Sequence, residues 1–174
     1  MKHYLIVVDM QKDFVDGALG SAEACAIVPA AVEKIREFDG EIFATFDTHF
    51  ADYMETAEGR KLPVPHCIKD TAGWQLDAQI AAALGERGYT PVEKHTFGSV
   101  DLPALIAKAA DGEDFTLELI GLCTDICVVS NALLLKAYFP EVPVAVDAAC
   151  CAGVTPEKHE AALETMRSCQ IDVI

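Results

Sequence analysis

Short apolar runs, three of them ending in an acid, recur along this chain, each separated from the next by a segment of helical spacing. The runs are YLIVVD (4–9), EIFATFD (41–47), TPVEKH (90–95), FTLELIG (115–121), VPVAVD (142–147) and QIDVI (170–174). They are nearly continuous in apolar character rather than alternating, which is the signature of strands covered on both faces. Between them, Val28, Ala31, Val32, Ile35 and Phe38 share one helical face over 27–38, and Leu76, Ile80, Ala83 and Leu84 share another over 75–87. DLPALIAKAA (101–110) reads as a helix with Asp101 as N-cap and Pro103 in the first turn. Residues 125–138 form a fourth helix, and Thr155-Pro156 opens a fifth. Strands alternating with helices build a parallel sheet clothed on both sides. The expectation is a three-layer α/β/α domain over 1–174, with a six-stranded parallel sheet in the common order 3-2-1-4-5-6.

The chain's charge and apolar content narrow its partners. A formal net charge of −15 repels nucleic acid and anionic membrane. No apolar run approaches the ~20 residues of a membrane span, and MKHYLIVVDM reads as a first strand rather than a signal peptide. Seven cysteines, an odd number without regular spacing, suit reduced thiols in the cytoplasm better than a disulfide framework.

In sheets of this kind ligands bind beyond the carboxyl ends of the strands, where the strand order reverses. Asp9, Asp47, His49, Lys94, the segment CTDIC (123–127) and Asp147 all fall at or just past strand ends. With strands one and four adjacent, Asp9 and residues 123–127 flank the reversal point. Cys127, near the start of a helix, feels the positive end of its dipole, and a nearby lysine would favour the thiolate further. An aspartate beside it would take the thiol proton and pass it on. The same cysteines read equally well as small buried apolar side chains. Asp47-x-His49 puts two potential ligands on one side of an extended chain, with His66 returning from the loop 47–73; this suits Zn²⁺, Fe²⁺ or Mn²⁺, or an ordinary polar surface.

VVDMQKDF (7–14), the lysine that ends the third strand, and GLCTDICVVSNAL (121–133) together resemble the isochorismatase-like cysteine hydrolases, and within them the nicotinamidase/pyrazinamidase branch. The resemblance extends over essentially the whole chain. It implies a catalytic triad of Asp9, Lys94 and Cys127. It also implies a cis peptide at Leu122-Cys123, with the backbone N–H groups of Cys123 and Cys127 forming an oxyanion hole. A divalent metal, Zn²⁺ first and Fe²⁺ or Mn²⁺ as alternatives, would be held by Asp47, His49 and His66. Glu58 (preferred over Glu55) or water would complete the set. Phe14 would lie against the substrate ring, with Leu122 in the same pocket and Trp74 as a further aromatic candidate for its wall. The implied reaction is hydrolysis of a small aromatic carboxamide, nicotinamide to nicotinate and ammonia, through a Cys thioester in a homo-oligomeric enzyme. The alternatives are a relative acting on another amide, ureide or N-carbamoyl compound, or a non-catalytic redox or binding protein of this fold. The short segment HTFGSVDL after Lys94 departs from the fuller loop of some relatives. Gln11 and Asp13 are read as hydrogen-bonding support, His95 as structural or cleft-lining, and His3 and His159 as solvated. Cys25, Cys150, Cys151 and Cys169 are read as filler.

Overall fold

A computed structural model describes residues 1–174. Six parallel strands, β1 (Lys2–Val8), β2 (Glu41–Asp47), β3 (Thr90–Lys94), β4 (Phe115–Leu122), β5 (Val144–Ala152) and β6 (Asp172–Val173), form one sheet in the order β3-β2-β1-β4-β5-β6. Side-chain alternation divides β1 between two cores. Leu5 and Val7 pack under α2 (Ala22–Glu37) and α4 (Ala78–Arg87), while Tyr4, Ile6 and Val8 pack under α5 (Leu102–Ala110), α6 (Val129–Tyr138) and α7 (Pro156–Ser168). All five residues from Tyr4 to Val8 are fully buried, which is why the run is apolar without a break. Each such aliphatic side chain contributes roughly 1.5–3 kcal/mol of burial.

The register brings the functional strand ends level. Val8 stands opposite Thr45 on one side and Gly121 on the other, and Asp47 opposite Lys94. Gly121 has φ +121°, and a Cβ there would lie 2.1 Å from the Val8 carbonyl oxygen, so only glycine lets β4 approach β1 this closely.

Several boundaries differ from the sequence reading. α2 begins at Ala22, not residue 27, because Ser21 caps it by accepting the Ala24 N–H at 3.0 Å; its exposed first turn hides the periodicity. Asp101 is the N-cap of α5, its carbonyl accepting the Leu105 N–H at 3.1 Å, but its side chain makes no capping bond, and the Leu102 N–H goes to Ser99 Oγ at 3.3 Å. The loop 47–73 contains a 3₁₀ turn (Tyr53–Glu55) and the short helix α3 (Ala57–Lys61), and α1 (Lys12–Val15) follows β1. The fourth helix opens as a π-type turn, Thr124–Val128, before α6. Asp147 does not end β5. The strand continues through Cys150 and Cys151, and Asp147 pairs with Lys34 of α2 at 2.8 Å, alongside Glu118 at 2.7 Å. An acid neutralised on the helix-covered face no longer marks a strand end.

Candidate active site

Asp9 follows β1 in a left-handed backbone conformation, φ 48°. Its N–H is held by the carbonyl and hydroxyl of Thr45, each at 3.2 Å, and the Thr45 hydroxyl donates to Asp9 Oδ1 at 2.6 Å. Lys94 closes β3. Its ammonium lies 2.6 Å from Asp9 Oδ2 and 3.2 Å from Asp47 Oδ1, and donates to Cys127 Sγ at 3.4 Å and to the Thr96 carbonyl at 3.2 Å. Asp9, Lys94 and Cys127 are at most 4% exposed. Asp9 Oδ2 accepts no hydrogen bond of normal geometry and so keeps acceptor capacity.

Electrostatics here works against the thiolate that the helix start and Lys94 favour. Burial, then the Asp9 carboxylate, pushes the Cys127 thiol well above its ordinary range, and Lys94 does not offset them. Burial also raises the Asp9 carboxyl against the pull of Lys94. Lys94 stays charged: burial opposes its charge, but Asp9, Cys127 and Asp47 outweigh that. Desolvation thus disfavours a second anion beside Asp9.

Beside this group lies a second one. The ligand atoms of Asp47, His49, Glu58 and His66 all fall within 4.8 Å of one another. His49 Nε2 is 3.0 Å from Asp47 Oδ2; His66 Nε2 is 3.6 Å from the same oxygen, and Glu58 Oε1 is 3.6 Å from both rings. Ligands at ~2.0 Å around a tetrahedral ion stand about 3.3 Å apart, so these spacings and this donor set fit Zn²⁺. His66 Nδ1 donates to the Val64 carbonyl at 2.8 Å, which turns the Nε2 lone pair inward. Burial opposes ionisation of Asp47, but the His49 and His66 rings beside it and the charge of Lys94 hold it well below the usual carboxylate range. His66 is raised: burial lowers it, but Asp47 outweighs burial. α3 delivers Glu58, whereas Glu55 is exposed on the preceding turn. Gln11 braces the cluster from behind. Its amide donates to the Asp47 carbonyl at 2.9 Å and accepts the Asp47 N–H at 2.8 Å. Asp13 accepts the Cys67 N–H at 2.8 Å, which steadies the residue next to His66.

Cys127 and all four residues of the second group line one cavity of about 700 Å³, with Phe14, Leu19, Leu62, Phe97 and Ile126 as its apolar wall; Asp9 and Lys94 do not line it. Cys123 and His95 also line it, and the Leu122-Cys123 peptide is cis. Leu122 does not line it. As the last residue of β4 it points into the α2/α4 core and is fully buried, the alternation of the strand having sent it to the helix-covered face. Trp74 also misses the cavity: it packs on Phe46 at 5.3 Å and donates to Thr48 Oγ1 at 3.0 Å. His159 is not solvated but half-buried, 2.7 Å from the Thr124 hydroxyl. Sequence reasoning passed over Thr45, Asn131 and, Phe14 apart, the apolar wall. Asn131 donates to the Cys127 carbonyl at 2.8 Å, and only its polarity on an otherwise apolar helix offered a signal.

A doubly wound sheet whose carboxyl edge joins a buried thiol, carboxylate and ammonium to a two-histidine, two-carboxylate cluster is the framework for nucleophilic attack on a carbonyl. The chain belongs to the isochorismatase domain family, whose profile matches residues 3–174. An isochorismatase family protein, PncA, of Bacillus subtilis (strain 168) is 31% identical over 94% of this chain and 93% of its own length. The nicotinamidase/pyrazinamidase of Mycobacterium tuberculosis is 28% identical over 98% of this chain and 97% of its own. A crystal structure of the pyrazinamidase of Pyrococcus horikoshii in complex with zinc superposes with TM-score 0.79 at 27% identity, covering 100% of this chain and 99% of that one.

Proposed function

We propose that this protein hydrolyses nicotinamide, or a closely similar aromatic carboxamide, to the carboxylate and ammonia. Asp9 takes the Cys127 proton as sulfur attacks the amide carbon. The negative charge that develops on the amide oxygen is stabilised by the backbone N–H groups of Cys123 and Cys127. Asp9 returns its proton to the departing nitrogen and ammonia leaves, with the acyl group on sulfur. Asp9 then draws a proton from water as it attacks the thioester, and the carboxylate is released with the thiol restored. Lys94 remains protonated throughout and holds Asp9 in place. Asp47, His49, Glu58 and His66 would hold a divalent ion, Zn²⁺ by their donor set, which when bound supplies an electrophilic anchor for the ring nitrogen. Phe14, whose ring lies 5.4 Å from that of His66, offers an aromatic face beside the cluster. A catalytic thiol suits the reducing cytoplasm, and all seven cysteines are free.

The observation that carries this reading is the single ammonium of Lys94 in contact with both Asp9 (2.6 Å) and Cys127 (3.4 Å), the thiol that lines the cavity. The relatives named nicotinamidase/pyrazinamidase support the choice of substrate. The test is ammonia release from a panel of amides that includes nicotinamide. Turnover of nicotinamide should vanish in Cys127→Ala, and a variant that still turns over would exclude the thioester route.

A further inference from the structure

The steps above leave His159 unused, yet it touches the turn that carries the nucleophile. We propose that His159, in the first turn of α7, is a positioning residue that fixes this turn through the Thr124 hydroxyl. Thr124 opens the turn Thr124–Val128 and is fully buried, and its hydroxyl lies 2.7 Å from His159 Nδ1. The Thr124 carbonyl in turn accepts the N–H of Val129, so the rotamer and backbone of Thr124 set the winding around Cys127. A second link runs parallel to the first: Asp125 Oδ1 accepts the Val154 N–H at 2.9 Å. The close approach of the two segments requires glycine at 153, where a Cβ would lie 2.7 Å from the His159 nitrogen and 3.0 Å from Asp125 Oδ1. At the opposite end of the turn Asn131 grips the Cys127 carbonyl at 2.8 Å and accepts the Ser99 N–H at 2.8 Å. The turn is thus clamped at both ends, and the His159 end is the one next to the Cys123 amide.

Without His159 the Thr124 hydroxyl is buried with no partner. It must rotate or admit water, and either response moves the Cys123 N–H and the Cys127 sulfur. Of the apolar wall only Ile126 lies on this turn; Phe14, Leu19, Leu62, Phe97 and the Asp47 cluster belong to other elements, so most of the binding surface is spared. The effect should therefore fall on kcat and not on KM.

This inference rests on Cys127 being the nucleophile, so Cys127→Ala is assayed alongside. His159→Ala should lose about tenfold or more in kcat with KM unchanged, as expected of a small misplacement of reacting groups. His159→Asn, whose amide can stand where Nδ1 stands, should recover most of that loss. Thr124→Val should match His159→Ala, and the double variant should be no slower than either single one, since both remove one interaction. A folded His159→Ala with wild-type kcat, an Asn variant no better than Ala, or losses that multiply would each overturn the proposal. If His159→Ala does not fold, Thr124→Val decides: an unchanged kcat overturns the proposal and a kcat-specific loss sustains it. Ammonia release that survives Cys127→Ala would instead refute the thioester reading itself.

Discussion

Burial and the neighbouring Asp9 charge both raise the Cys127 thiol. Asp9→Asn should therefore have two opposite effects. Turnover should fall by about 10²–10⁴ because the base is gone. The Cys127 thiol should titrate at lower pH, because a neighbouring negative charge has been removed. Ultraviolet thiolate absorbance against pH checks the second effect; a curve shifted upward would refute this account of the charges. Lys94 poses the complementary case. Lys94→Met would leave Asp9 and Asp47 buried beside each other without their shared cation, at a cost of about 3–5 kcal/mol by denaturant unfolding. The identities of these residues were legible in the sequence because each ends or follows a strand. Their protonation was not, since desolvation depends on what packs around them.

At the level of elements, α3 decides the make-up of the second cluster. Thr56 caps this short helix by accepting the Gly59 N–H at 3.0 Å, and the helix presents Glu58 to the two histidines. Chelator treatment should lower nicotinamide turnover, and added Zn²⁺ should restore it. Glu58→Ala should weaken Zn²⁺ binding by at least about tenfold, read by competition with a coloured chelator; unchanged affinity would remove Glu58 from the ligand set. The sequence favoured Glu58 over Glu55 only by its place just before GRKLPVPH, and the rotation of α3 is what brings Glu58 to the histidines. β4 shows the same limit. Its existence was plain from FTLELIG, but Leu122 points away from the cavity because the register of the sheet fixes the alternation. Gly121→Ala, with its Cβ driven onto the Val8 carbonyl, should cost at least ~3 kcal/mol and separate the two strands that flank the site.

Across the whole molecule the buried thiols set a common pH dependence. Burial raises Cys67, Cys127 and Cys151, and pushes Cys123 and Cys150 to about 12. A thiol whose folded pKa exceeds its unfolded one stabilises the fold fully below the unfolded value and loses that contribution as pH rises toward the folded value. Stability should therefore fall progressively above about pH 8.5, the unfolded thiol value, as measured by denaturant midpoints from neutral to alkaline pH. A flat profile would mean that these thiols are more hydrated than their burial indicates. The amino-acid pattern was enough for the layered sheet and for most residues at its carboxyl edge, Asp147 excepted, while the strand order was the common one for such sheets, which the structure shows. Strands buried on both faces must be apolar throughout, and strand ends fall where the apolar run stops. Tertiary contacts alone fixed the rest: Leu122 in the α2/α4 core, Asp147 paired with Lys34, and His159 against Thr124. Each of these depends on contacts between segments far apart in the chain, whose distances and desolvation no local pattern encodes.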